Sequence, residues 1–189
     1  QFLGKLLERT KKLTVGNGLD PDTRLGPLHT DAQRREVEEQ VQDAIARGAK
    51  LLVGGVRPEG PEYEKGNFYL PTLLANVPED SRMATEEVFG PALPIWKVKT
   101  LDEAIEKANR SIYGLGSSSW TRDLARANLA AERLEAGYTW INSAQIIYDE
   151  LPFGGVKQSG VGKEHGSEVL DYYMETKAVV VAPAPEQTK

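Results

Sequence analysis

A chain of 189 residues, 40% apolar and 27% charged, is long enough for one sizeable core and has the composition of an ordinary soluble protein. Its net charge of −5, with no dense Lys/Arg stripe, excludes a nucleic-acid surface. The absence of cysteine excludes disulfides, thiolate metal sites and a cysteine nucleophile from these residues, and His29 and His165 are too far apart in sequence to suggest a metal site.

The chain opens on QFLGKLLERTKKL, where Phe2, Leu3, Leu6, Leu7 and Leu13 recur at helical spacing. Lacking a methionine and already mid-helix, this start reads as part of something longer and not as a signal peptide, so the expected location is cytoplasmic. No apolar run approaches the roughly eighteen residues of a membrane span, so no membrane partner is expected. The stretch VGNGLDPDTRLGPLHT is too rich in Gly, Pro and Asp to form an element.

Thr30 with Gln33 then makes a capping box that opens a second helix, with Val37, Val41, Ala44 and Ile45 as its buried stripe and Gly48 as its stop. Leu51 to Val53 read as a short strand, Phe68 to Leu74 as an extended run broken by Pro71, and Ala92 to Val98 as a strand after Gly90-Pro91. A second capping box, Thr100 with Glu103, opens a helix through Ile105 and Ala108. A strand over Leu115 to Thr121, a helix over Leu124 to Leu134 and a strand over Tyr138 to Asn142 follow. Past a glycine-rich loop come a helix from about Glu164 to Tyr173 and a β-branched strand, Lys177 to Ala182. The tail APAPEQTK is expected to be disordered. The alternation predicts an α/β fold with a mainly parallel sheet flanked by helices, in one main domain over residues 1–173 with a terminal strand and tail over 174–189.

The loop DELPFGGVKQSGVGKEHG, Asp149 to Gly166, has the composition of a phosphate cradle but not its spacing. Gly155 and Gly160 are correctly separated for a Walker loop, yet Val161 stands where lysine is needed, and the Gly162-Lys163 pair is followed by Glu164. A dinucleotide fingerprint fails too, since Gly160, Gly162 and Gly166 are wrongly spaced and no buried strand leads in.

Three stretches read together, EEVFGP (Glu86 to Pro91), GYTWIN (Gly137 to Asn142) and PFGGVKQSGVGKE (Pro152 to Glu164), resemble the NAD(P)-dependent aldehyde dehydrogenase family. DPDTRLGPL near the start and YMETKAVVV near the end extend the resemblance over nearly the whole chain. It implies the C-terminal part of such an enzyme: an open twisted sheet of the catalytic domain downstream of the nucleophilic cysteine, ending in an oligomerisation strand. In that family a thiolate attacks the aldehyde, hydride passes to NAD or NADP, and water cleaves the thioester. With the cysteine, the general base and the main cofactor domain all absent from these residues, the chain alone is expected to be inactive.

Residue by residue, the resemblance makes Glu87 the carboxylate that hydrogen-bonds the nicotinamide ribose and Phe89 the ring packing near the nicotinamide, against the plainer reading of a helix-end acid and a core phenylalanine. It makes Phe153 an aromatic wall of the aldehyde tunnel, with Gln145 and Ile147 at its mouth, against ordinary loop packing. The stretch holds no cation for an acidic substrate tail and no aromatic cage, which favours an uncharged or broad aldehyde range. Glu164 resembles a glutamate placed in a proton path or behind the site, although Lys163 replaces the family's arginine beside it. The apolar strand Lys177 to Val181 is expected to pair with another copy, giving a homo-oligomer. The alternative is a non-catalytic truncated homologue that uses this strand as an interaction module.

Overall fold

A computed structural model describes residues 1–183. The expected disorder at 184–189 lies outside the described residues. The chain forms two compact units, Gln1–Lys99 and a second from Thr100 onward.

The first unit is built around one helix. α1 (Phe2–Thr10) leads into the breaker-rich loop, and α2 (Asp31–Ala46) starts at Thr30, whose side chain accepts from the Gln33 N–H at 3.1 Å. The reciprocal contact falls one residue early, with the Gln33 Oε1 accepting from the His29 N–H at 3.3 Å. Val37, Val41 and Ala44 are buried, as their spacing predicts, against Tyr69, Leu74, Val77, Met83 and Ala92. Gly48 stops the helix at φ 109°, a conformation that costs glycine nothing.

The core rests on a three-stranded sheet of β1 (Lys50–Val53), β2 (Thr72–Ala75) and β3 (Ala92–Ile95), in that order. β1 and β2 are antiparallel with Leu51 opposite Leu74, whereas β2 and β3 are parallel with Leu73 opposite Leu93. A short helix, α3 (Arg82–Thr85), connects β2 to β3. On α1 the apolar stripe is not the buried one: Phe2 is 73% exposed, Leu6 and Leu7 are half-buried, and Thr10 is buried instead.

In the second unit, α4 (Leu101–Asn109) is capped by Thr100, which accepts from the Glu103 N–H at 3.1 Å, and it buries Ile105. β4 (Tyr113–Gly114) and β5 (Gly116–Ser119) follow, then α5 (Leu124–Arg133), capped by Asp123, and β6 (Tyr138–Ile141). β5 and β6 pair in parallel, with Ser117 opposite Thr139 and their hydroxyls 2.9 Å apart. β7 (Val156–Lys157), which the sequence does not suggest, pairs antiparallel with β4 inside the glycine loop.

Three expectations are corrected. In place of one mainly parallel sheet, the described residues hold three small ones, with two parallel and two antiparallel pairings. The helix expected over Glu164 to Tyr173 is a 3₁₀ segment at Ser167–Tyr172. Glu164 spends its backbone on Phe153, and His165 and Gly166 both have positive φ (57° and 67°), so no helix can start there. The strand Lys177 to Ala182 does not form. Within the described residues no strand pairs with it, Val180 is 93% exposed, and an unpaired strand has nothing to satisfy its backbone groups. No helix of the described residues is long and apolar enough to cross a membrane.

Candidate functional site

The sequence-predicted site residues fall in both units, and each group is described by itself. Glu87 and Phe89 lie in the first, on the turn between α3 and β3. This turn is held from below by α2. The Gln33 Nε2 donates to the Phe89 carbonyl at 2.7 Å, and the Gln40 Nε2 donates to the Glu86 Oε2 and the Glu87 carbonyl at 3.2 and 3.3 Å. Between the two amides, Val37 packs so closely that a Cβ on Gly90 would come within 2.5 Å of its Cγ2. A glycine is therefore required where the turn crosses the helix.

Consecutive glutamates meet different fates on this turn. Glu86 is captured: Arg82 Nε donates to both its carboxylate oxygens at 2.9 and 3.0 Å, and that bond, ahead of the one from Gln40, holds its pKa below the ordinary glutamate value. The same arginine also reaches Glu36 and Glu39, and its backbone N–H donates to Asp43 at 2.8 Å. Glu87 is exposed and has no side-chain hydrogen-bond or ion-pair partner among the described residues. Phe89 is 63% exposed. The turn thus fixes its backbone and ties down one acid while presenting an unpaired carboxylate and a ring to solvent.

The second group is carried by the loop that follows β6. Asn142 ends the strand at φ 55° and closes a two-way bond with Thr121, donating to its carbonyl and accepting from its N–H, both at 2.8 Å. Trp140 donates its indole N–H to the Ile146 carbonyl at 2.7 Å, folding the loop back over the strand. Gln145, at φ 59°, and Ile147 are both exposed on this excursion. Phe153 is half-buried, its ring 5.6 Å from that of Tyr138, which in turn lies 4.6 Å from Trp140.

Behind Phe153 the glycine loop is tied by backbone and by two lysines. Phe153 and Glu164 exchange N–H···O bonds of 2.6 and 2.7 Å. The Lys163 ammonium donates to the carbonyls of Gly154 and Gly155 at 3.0 and 2.8 Å. Lys157 donates to the carbonyls of Asn109 and Ser111 at the end of α4, at 2.7 and 3.1 Å, and pairs with Glu135 at 2.6 Å. Backbone carbonyls take up Lys163, and carbonyls with the Glu135 carboxylate take up Lys157, so both cations are committed within the protein and neither is left for a phosphate. Glu164 contributes its backbone, while its carboxylate is exposed and has no partner among the described residues. A cavity of about 730 Å³ in the first unit, lined by Asn17, Asp20, Tyr63 and Phe68 among others, includes none of the site residues.

The sequence pattern of the aldehyde dehydrogenase family matches residues 1–179. The chain belongs to that family. Over 179 residues it is 43% identical to the betaine aldehyde dehydrogenase of Bacillus subtilis, covering 95% of this chain and 36% of the relative. Over 180 residues it is 41% identical to an NADP-dependent succinate-semialdehyde dehydrogenase of Mycobacterium ulcerans, covering 95% of this chain and 38% of the relative. Among solved structures, a betaine aldehyde dehydrogenase of Staphylococcus aureus superposes with a TM-score of 0.88 at 39% identity, over 93% of this chain and 35% of that one. HpcC from Thermus thermophilus does so at 0.90 and 38% identity, over all of this chain and 38% of that one. The chain therefore spans about a third of the length of these relatives.

Sequence reasoning missed Gln33 and Gln40 as supports of the turn and Lys157 and Lys163 as carbonyl clamps. Gln33 carried a signal, as half of a capping box, but for a different duty. Gln40 carried none.

Proposed function

We propose that these residues are the part of an NAD(P)-dependent aldehyde dehydrogenase that follows the nucleophilic cysteine, contributing to oxidation of an aldehyde to a carboxylic acid. The observation that carries this reading is Glu87: an exposed carboxylate with no partner among the described residues, on a turn whose neighbouring polar groups are tied down. Two carboxylate oxygens on a fixed backbone fit a vicinal diol such as the nicotinamide ribose, so the residues present suit the cofactor. Bound NAD or NADP supplies the hydride acceptor. Glu87 would accept from the two ribose hydroxyls and hold the ring's angle of approach, with Phe89 excluding water beside it. Phe153 would line the aldehyde's path, with Gln145 and Ile147 at its mouth. Glu164 would act through its backbone, with any proton-relay role left to its free carboxylate. These 189 residues contain no cysteine, so the thiolate that attacks the aldehyde must come from outside them and the chain alone is inactive.

The exposed Val179, Val180 and Val181 support a further element of the reading, pairing of Lys177 to Val181 with a second copy to give a homo-oligomer. They equally suit the second reading, a truncated homologue serving as an interaction module. The test is a split of kinetic constants in the full-length protein. Glu87→Gln is expected to raise the KM for NAD or NADP and leave that for the aldehyde unchanged, and Phe153→Ala to do the reverse. Unchanged constants in both variants would reject the catalytic assignment and favour the module.

A further inference from the structure

One stripe of α2 matches the turn that carries Glu87 almost contact for contact. Gln33, Val37, Gln40 and Ala44 recur one turn apart, with Glu36 and Asp43 on the flank. From this stripe Gln33 reaches the Phe89 carbonyl, Val37 packs beneath Gly90, and Asp43 accepts from the Arg82 N–H.

At its centre stands Gln40, 1% exposed on the face that buries Val37, Val41 and Ala44. Its Nε2 serves the Glu86 carboxylate and the Glu87 carbonyl, while its Oε1 is buried and has no hydrogen-bond partner among the described residues. A buried amide with an unpaired acceptor destabilises the fold, and an apolar side chain of the same length would pack there without that cost. What the amide does achieve is local. It anchors the backbone of Glu87 and helps tie down the carboxylate of Glu86 beside Arg82.

We infer that Gln40 is a positioning residue for the cofactor-facing carboxylate: its buried amide ensures that, of two consecutive glutamates, Glu86 is tied down and Glu87 alone keeps a free carboxylate, on a fixed backbone. This rests on the reading of Glu87 as the ribose ligand. Without the amide, the Glu87 peptide is free to rotate and Glu86 has only Arg82 to hold it in, so the geometry of the acceptor is lost while the fold persists.

The test is a double-mutant cycle on cofactor binding, read by titration of NADH or NADPH fluorescence in the full-length protein. Gln40→Met, which keeps length and volume and removes the donor, is expected to weaken dinucleotide binding about fivefold, the factor equivalent to one hydrogen bond of ordinary net strength. The melting temperature and the KM for the aldehyde stay at the parent value or, for the melting temperature, above it. In a Glu87→Gln background the same substitution adds nothing, because the group it positions is already gone. Weakening by the same factor in both backgrounds, or in neither, overturns the inference. If Glu87→Gln itself leaves dinucleotide affinity unchanged, the ribose-ligand reading falls, and the inference with it. Should Gln40→Met fail to fold, Gln40→Leu, which also removes the donor and adds no charge beside Glu86, serves in the same cycle with the same expectations for binding.

Discussion

Replacing Gly137 by alanine tests the packing that holds the glycine loop beneath Phe153. Gly137 stands at the entry to β6 and its φ is not in the left-handed region, so any cost is steric and not conformational. An added Cβ would overlap the Gly154 carbonyl oxygen and lie 2.9 Å from the Gly154 carbonyl carbon and 3.2 Å from that of Gly155. All three atoms are backbone, so no side chain can swing aside and the loop itself must retreat by roughly an ångström. Four hydrogen bonds depend on that backbone: the 2.6 and 2.7 Å pair between Phe153 and Glu164, and the two from Lys163 at 3.0 and 2.8 Å. At about 1 kcal/mol each, with partial relaxation, Gly137→Ala costs about 2–4 kcal/mol. For a chain of this length that lowers Tm by roughly 4–16 °C. Thermal unfolding followed by circular dichroism gives the number, and hydrogen exchange at the Phe153 and Glu164 amides shows whether this loop opens first. Gly4→Ala is the control of opposite sign. Within α1, with nothing within 4 Å of its Cβ position, it is expected to stabilise by about 0.5–1 kcal/mol. A Gly137→Ala protein with the parent's Tm and unchanged protection would refute the close-packing reasoning.

Two further outcomes follow from the site and the core. Lys163→Met removes both carbonyl bonds and is expected to raise the aldehyde KM several-fold with the cofactor KM unchanged, while Lys163→Arg, which keeps the donors, stays near the parent; steady-state kinetics of the full-length protein decides. Tyr69 is 1% exposed with no partner for its hydroxyl among the described residues, and burial pushes its pKa up to about 12. A raised folded pKa means its contribution is fully present below the ordinary tyrosine value of about 10 and is lost as the pH climbs through about 12. Tyr69→Phe should therefore match or exceed the parent's stability at neutral pH and flatten the alkaline fall in denaturant midpoint between those values; a steeper fall would contradict the assignment.

What the sequence disclosed was local. The Thr30 and Thr100 caps, the spacing of Val37, Val41 and Ala44, and the apolar run at Leu51 to Val53 mark elements whose causes lie within a few residues, and these appear close to their expected bounds. Strand partnership has no such local cause, so the division into three small sheets was not legible. The 3₁₀ segment at Ser167–Tyr172 escaped because Glu164 is claimed by a bond to Phe153 that periodicity cannot register. Phe2 misled for the opposite reason: an amphipathic stripe states that a face is apolar, not what covers it. In the site, Glu87, Phe89 and Phe153 were readable as motif members, whereas Gln40 and Lys157 act on groups more than forty positions away in sequence.

On the proposed function, these residues hold and orient the reacting partners without supplying the nucleophile. Its most direct test is to give the 189-residue chain an aldehyde with NAD or NADP and follow NADH or NADPH absorbance, beside the full-length protein under the same conditions. Turnover by the full-length protein and none by the isolated chain is the predicted result. A clear rate from the isolated chain, which has no cysteine to form a thiohemiacetal, would contradict it.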